Sequence, residues 1–404
     1  MNDWRDCLLG DVITLKRGYD LPERQRIPGV VPVVSSAGIS GYHNVAKVKA
    51  PGVVTGRYGT LGEVFYLSED YWPHNTALYV QDFKDNNPRF ISYFLASMGL
   101  AFRNAAGAVP GVNRNHLHQI PVRVPSVKTQ EKISSILAAY DDLIENNTRR
   151  IQILEQIAHD LYQEWFVYFR FPGYEDTEFG DSELGSIPQG WEVRLIDDLC
   201  TYSRGKSYSS SELVSEGGLP FLNLKCIERD GGFRYDGLKR FQGKYKESQA
   251  ASAGDVIIAI TDMTQERRIV ARAARVPETG AELYVFSMDL VKINPKHKIP
   301  NDYLYSLFRY SSFADHVKQA ANGANVLHLL PDHILAYKFV RPTNEVIQQF
   351  AERVKSLYQL RDSFQVRNEN LRQVRDLLLP RLVSGELDVT KLKTQDEELE
   401  TMEA

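Results

Sequence analysis

Two hydrophobic rhythms alternate along this chain. Over residues 1–125 and again over 191–342, apolar positions fall in short runs broken by turn residues. Gly52-Val53-Val54-Thr55, Glu63-Val64-Phe65-Tyr66-Leu67, Ala77-Leu78-Tyr79-Val80 and Val122-Arg123-Val124 predict strands in the first region. Asp255-Val256-Ile257-Ile258-Ala259-Ile260 and Leu290-Val291-Lys292-Ile293 predict strands in the second, and Phe90–Leu95 and Tyr303–Tyr310 have helical spacing. After each region the period changes. Ile133, Tyr140, Asn147, Leu154 and Leu161 recur every seven residues, flanked by Ile136, Leu137, Leu143, Ile144, Ile151, Ile157, Ala158 and Trp165. Phe350, Leu357, Phe364, Leu371 and Leu378 repeat the pattern, supported by Val354, Leu360 and Val374. Each run predicts a helix of about 33 residues, about 50 Å long. A heptad held this long predicts coiled-coil packing, and two such stripes are expected to cover one another. Asn147 falls at a core position, as a buried amide that fixes register or as a solvated one where the helices splay.

The alternation is a duplication. Trp4–Gly18 (WRDCLLGDVITLKRG) matches Trp191–Gly205 (WEVRLIDDLCTYSRG) at an offset of 187, sharing the Trp, a Leu, an acid, a Thr and the Arg-Gly pair. Leu117–Pro125 matches Ile334–Pro342 at an offset of 217, which continues through the helices, so both stripes share one heptad phase. A period this long is no solenoid. It is one two-part unit, an α/β module followed by a long helix, present twice. The expected layout is module 1–125, helix 126–170, linker 171–190, module 191–342, helix 343–390 and an acidic, disordered tail 391–404. The linker has Pro, Gly, five acids and no periodicity.

The net charge of −4 argues against a nucleic-acid partner until it is divided. The first module carries 13 Lys and Arg against 10 acids, the second 21 against 18, so each is +3, an ordinary value by itself. The acidity lies in the first helix, the linker and the tail. No apolar run reaches the length of a membrane span, and the N-terminus lacks the pattern of a secretory signal. Cys7, Cys200 and Cys226, without a CxxC, argue against a disulfide framework or a zinc site and suit a reducing cytoplasm.

Catalytic signatures are missing. There is no HExxH, no adenosylmethionine-type Gly-rich strand–loop and no Asn-Pro-Pro-aromatic motif. Arg204-Gly205-Lys206-Ser207 imitates the end of a P-loop, but Cys200 stands where the first Gly is required. His116 and His118 suit surface or structural roles rather than metal binding, and Asp262 with Glu266 suits a solvated charged loop. The residues describe a binder rather than an enzyme.

Several stretches resemble the specificity subunits of type I restriction–modification systems. Ile120–Phe169 carries Pro125, Gln130, Glu131 and Ile133 in the spacing of their first conserved region, then Asp-Asp-Leu-Ile-Glu-Asn-Asn (Asp141–Asn147) and a Trp-Phe ending. Gly56–Gly62 (GRYGTLG), with Tyr71-Trp72-Pro73 and Asn75-Thr76, resembles one class of their target-recognition domains, and Leu379–Leu387 resembles their common C-terminal ending. In the second copy Ile347-Gln348 stands where Gln130-Glu131 is expected. The resemblance implies an α+β protein of two α/β target-recognition domains, each followed by a long helix, the helices pairing as an antiparallel coiled coil. Each domain would read half of a bipartite, asymmetric target in double-stranded DNA. Two modification subunits would methylate adenine at N6 with S-adenosylmethionine, and restriction subunits would cleave using ATP and Mg2+. This chain would bind no cofactor or metal. A coiled-coil protein-assembly scaffold without DNA specificity is the alternative reading.

Base reading needs donors and acceptors on loops, and phosphate contact needs positive charge. In the first module these are Arg57, Tyr58 and Thr60 in the Gly-rich loop, Tyr42 and His43, and Asn113, Arg114 and Asn115 before the last strand. In the second they are Thr264, Gln265, Arg267 and Arg268, with Asn322, Asn325 and His328 taken as equivalent to the stretch ending at Asn115. Arg17 and Lys206 flank the repeated turn and are placed to reach phosphate.

Overall fold

The computed structural model describes residues 3–100 and 111–390; the acidic tail 391–404 lies outside them. The fold is mixed α and β and divides into two compact units. The first unit takes residues up to Glu145 together with those from Glu369 onward, and the second takes Asn146–Asn368. Each unit therefore combines one module with segments of both long helices.

In the first unit a four-stranded antiparallel sheet runs in the order Thr14–Arg17, Ala77–Asp82, Gly52–Gly56, Val64–Leu67. The central strand, Gly52–Gly56, is buried throughout, which explains its unbroken apolar run. A three-stranded sheet, Gly38–His43, Val31–Ser35, Trp72–Pro73, covers one face through Val34, Val54, Tyr71 and Tyr79. The helix Pro88–Ser97 packs on the other face, with Asn87 accepting from the Phe90 N–H as its N-cap. The second unit repeats the plan. Its four-stranded sheet runs Cys200–Arg204, Leu290–Pro295, Val256–Ala259, Ala273–Arg275, with the helix Asn301–Tyr310 against it. Its further sheet has five short strands between Leu213 and Phe286, and their lengths of two to four residues hid them from the sequence pattern. Each module is closed by the same clasp: Trp4–Leu8 pairs with Pro121–Pro125, and Glu192–Leu195 with Lys338–Arg341.

The long helices are Val127–Tyr162, extended by a π-helical turn at Gln163–Val167, and Asn344–Val383. The first starts on a latch. Buried Gln130 donates to Asn86 Oδ1 at 2.8 Å and to the Pro125 carbonyl at 3.0 Å, and accepts from the Asn87 N–H at 2.9 Å. In the second copy Ile347, fully buried, replaces this polar latch by apolar packing. Asn147 is buried and donates to Asn368 Oδ1 at 2.9 Å, and Asn368 donates to Thr148 Oγ1 at 3.2 Å, so the amide is paired rather than solvated. The stripe is covered only along its middle. Ile133, Leu137, Ala158, Phe350, Val354 and Phe364 are buried, whereas the flanking Leu143, Ile157, Leu360 and Val374, expected to widen it, remain exposed. In the second unit Tyr162 and Trp165 join the core of the module with Trp191 and Phe350. In the first, Leu382 and Val383 do so beside Ile133 and Leu137.

Segment 171–190 is more ordered than its composition suggested. Phe179–Ser182 and Gly185–Pro188 form a hairpin, and the Phe171 ring lies tilted against that of Trp191 with centroids 4.9 Å apart.

Candidate nucleic-acid interface

Main-chain hydrogen bonds gather four distant stretches at one edge of each module. In the first, the Gly18 N–H donates to the Ala77 carbonyl at 3.0 Å and the Tyr19 N–H to that of Pro73 at 2.8 Å. A Cβ on Gly18 would lie 2.1 Å from the His74 oxygen, so only glycine permits this approach. The Arg57 and Tyr58 N–H groups both donate to Thr76 O, and Arg57 O accepts from the Val112 N–H at 2.9 Å. Stretches 17–20, 56–62, 72–76 and 111–115 thus form one surface. The second module uses the same frame. Gly205 N–H reaches Leu290 O and Lys206 N–H reaches Phe286 O, and a Cβ on Gly205 would lie 2.0 Å from the Ser287 oxygen. Ile260 N–H reaches Asp289 O, and Leu329 N–H reaches Ile260 O. The glycine of the repeated Arg-Gly pair is therefore a packing requirement of this frame.

In the first module the Arg57 guanidinium lies 4.4 Å from the centre of the Tyr58 ring and donates to Asn75 O at 3.5 Å. Arg17 is exposed and donates to Asp20 at 3.4 Å, and Asp20 also accepts from the Asn75 amide. Asp20 and Asn75 thus link Arg17 to Arg57, a connection the sequence hinted at only through Asn75-Thr76. Tyr58 and Thr60 are exposed. Asn113 caps the short helix Arg114–His118 by accepting from the Asn115 N–H at 2.9 Å, leaving its NH2 group, Arg114 and Asn115 at the surface. Tyr42 is exposed on its strand, but His43 points inward. It is 6% exposed, accepts from the Ile27 N–H at 3.0 Å and meets the Trp72 ring edge-on, so it offers no surface contact.

In the second module the organising group is Asp262. It is fully buried, not solvated, and accepts from Thr264 N–H and Oγ1 at 2.9 Å, Ile269 N–H at 2.8 Å and Val270 N–H at 3.3 Å. Burial alone would raise its pKa; the donors outweigh that and hold it below the usual carboxylate value. Glu266, by contrast, is exposed, with Arg268 at 4.0 Å. Gln265 donates to Ala324 O at 3.0 Å, and Arg267 donates to Gln319 Oε1 at 2.9 Å and Ala321 O at 3.3 Å, fastening this loop to stretch 319–324. Arg268, Asn325 and His328 are exposed; Asn322 is exposed while its amide donates to Ala320 O at 2.9 Å. The frame aligns His328 with Gly111, so Asn322 and Asn325 correspond to positions outside the described residues. Lys206 departs from its expected role: its ammonium pairs with Glu212 at 3.1 Å, 5.5 Å from the Phe241 ring centre, and its side chain is only 17% exposed.

Among the described residues, no group of three or more His, Cys, Asp or Glu could hold a metal ion, and no helix is long and apolar enough to cross a membrane.

The profile of the family described as Type I restriction modification DNA specificity domain matches residues 1–156 and 188–369. The chain is 28% identical to the type I restriction enzyme MjaIX specificity subunit of Methanocaldococcus jannaschii, over 70% of this chain and 64% of that protein. It is 22% identical to the HindI specificity subunit of Haemophilus influenzae, over 96% of this chain and the whole of that one. Its fold is similar to that of the type I S subunit from M. genitalium, at a TM-score of 0.62 and 15% identity, covering 96% of this chain and 97% of that chain. With two matched regions, each holding one copy of the same hydrogen-bonded frame, the chain belongs to the type I restriction–modification specificity subunits and carries two of the family's DNA specificity domains.

Proposed function

We propose that this chain reads a bipartite, asymmetric sequence in double-stranded DNA, one half through each domain, and performs no catalysis itself. The observation that carries the reading is the recurrence of the frame with different side chains at its surface: half-buried Arg57 with exposed Tyr58, Thr60, Arg114 and Asn115 in one domain, and exposed Thr264, Gln265, Arg268, Asn325 and His328 in the other. Scaffolds of one plan bearing different donors and acceptors suit two different base sequences. The long helices act as an antiparallel coiled coil. In the second unit, Asn147 meets Asn368 while Glu155 meets Arg361, so partners descend along one helix as they ascend the other. That pair sets the distance between half-sites, which for two readers on one face of B-DNA is about one turn, roughly 34 Å. Two modification subunits dock on the helices, where Leu143, Ile153, Ile157, Leu360, Val374 and Leu377 leave apolar surface exposed. They methylate adenine at N6 with S-adenosylmethionine, and restriction subunits add ATP- and Mg2+-dependent cleavage, all in the cytoplasm.

The test is a base-resolution methylation map of DNA from a restriction-free host making this chain with its modification subunit. A two-part motif bearing N6-methyladenine, absent without the chain, is the expected result. No new methylation while the two proteins associate would favour the scaffold reading instead. Adding or removing residues within 133–165, with a matched change in the opposing helix, is expected to alter only the unread spacer in that map. Shifted half-site bases would contradict the ruler.

A further inference from the structure

Resting on that reading, we infer that the second domain recognises thymine through its 5-methyl group, with Met263, Met288 and Leu330 as the contact surface. The shared frame makes the comparison position by position. Arg57 N–H bonds to Thr76 O as Ile260 N–H bonds to Asp289 O, and Val112 N–H bonds to Arg57 O as Leu329 N–H bonds to Ile260 O. Arg57 therefore corresponds to Ile260 and Asn75, one residue before the shared acceptor, to Met288. Asn113, one residue after the shared donor, corresponds to Leu330. The bridges Tyr58 to Gly111 and Thr261 to His328 extend the match, so Thr60 corresponds to Met263.

The chemistry at these positions is inverted. Where the first domain has the hydroxyl of Thr60 and the amides of Asn113 and the half-buried Asn75, the second presents Met263, Met288 and Leu330, exposed by 67%, 54% and 64%. All three lie on adjacent segments of one edge, beside the exposed Arg204 and Arg268, whose charge suits flanking phosphates. Core packing does not explain them, because they face solvent. Among the edges that base pairs present in the major groove, thymine's methyl is the one apolar group, and side chains that cannot hydrogen-bond discriminate there by covering it. The unbranched thioethers of two of the three can follow that small target closely.

The experiment uses the complex of the full chain with its modification subunit, on a duplex carrying the mapped target. Thymines of one half-site, then the other, are replaced by deoxyuridine, which removes only the methyl group. Binding is expected to weaken about fourfold for each methyl covered, in one half-site. The doubly substituted chain, Met263→Gln with Met288→Gln, is expected to bind the thymine target more weakly and to lose the difference between thymine and deoxyuridine in that half alone. The inference is overturned if neither half responds to deoxyuridine, if the response persists undiminished in the variant, or if the half-site lacks a T·A pair. It is equally overturned if the variant loses a protein partner while its DNA discrimination is intact. A wild-type complex that does not prefer its target to a scrambled duplex would defeat the underlying reading as well.

Discussion

Replacing Asp362 by alanine is expected to lower the stability of the chain by about 3–5 kcal/mol, the usual cost of stranding a buried charge partner. Asp362 is 3% exposed and accepts from Arg275 Nη1 at 2.5 Å and from Arg361 Nη2 at 2.8 Å. Arg275 also pairs with Asp302 on the helix Asn301–Tyr310 at 3.0 Å. Arg361 reaches Tyr305 on the same helix at 3.3 Å and Glu155 on the first long helix at 3.7 Å. One carboxylate thus joins a strand and a helix of the domain to both long helices. Removing it leaves two guanidinium groups, both largely buried, short of their strongest acceptor. Asp362→Asn keeps the shape and one acceptor oxygen, so its loss should be smaller. Urea unfolding of the full chain measures both, and a loss under about 1 kcal/mol for the alanine variant would show that solvent or rearranged partners replace the carboxylate.

Arg57→Ala is expected to weaken specific DNA binding by about 1–3 kcal/mol, and to relax one base position in one half-site if the guanidinium pairs with guanine. Its effect on folding should be small, because among the described residues the Arg57 side chain makes a 3.5 Å bond to Asn75 O, a 3.3 Å bond to the Tyr58 hydroxyl and the ring contact. Arg57→Lys keeps the charge but not the planar fork, so it should retain affinity better than base selectivity. Competition binding with duplexes varied at each half-site position separates the two effects. Unchanged affinity and an unchanged target for the alanine variant would remove Arg57 from the reading surface.

The long helices were legible because an apolar rhythm of seven residues, sustained for four repeats, fits the turn of a helix and not the pleat of a strand. The duplication was legible because Gly18 and Gly205 do the same packing work in both copies, although Trp4 is only half-buried where Trp191 is buried among aromatic rings. Burial was harder to read. Tyr42 and His43 are adjacent in a strand and look equally available, yet the alternation of side chains turns one outward and the other in. Asp262 sits among charged neighbours and reads as a solvated acid. Its four hydrogen bonds come from residues two to eight positions onward and exist only once the loop has closed. Lys206 reads as a free cation because its partner, Glu212, is close only after the chain turns. The correspondence of Asn75 with Met288 lies deeper still, since the spacing between frame segments differs in the two copies and no single sequence offset aligns them.

That frame also bears on how such a protein can change its target. Many of the bonds gathering its four stretches run between main-chain atoms, and each copy requires its glycine. Side chains such as Thr60, Met263 and Met288 stand on it exposed and contribute little to holding it together. New preferences can therefore be acquired one residue at a time, each substitution altering recognition while the scaffold's folding energy stays nearly level. Selection by new invading DNA can explore such a surface freely, whereas Asp262 and the paired glycines mark where exploration stops.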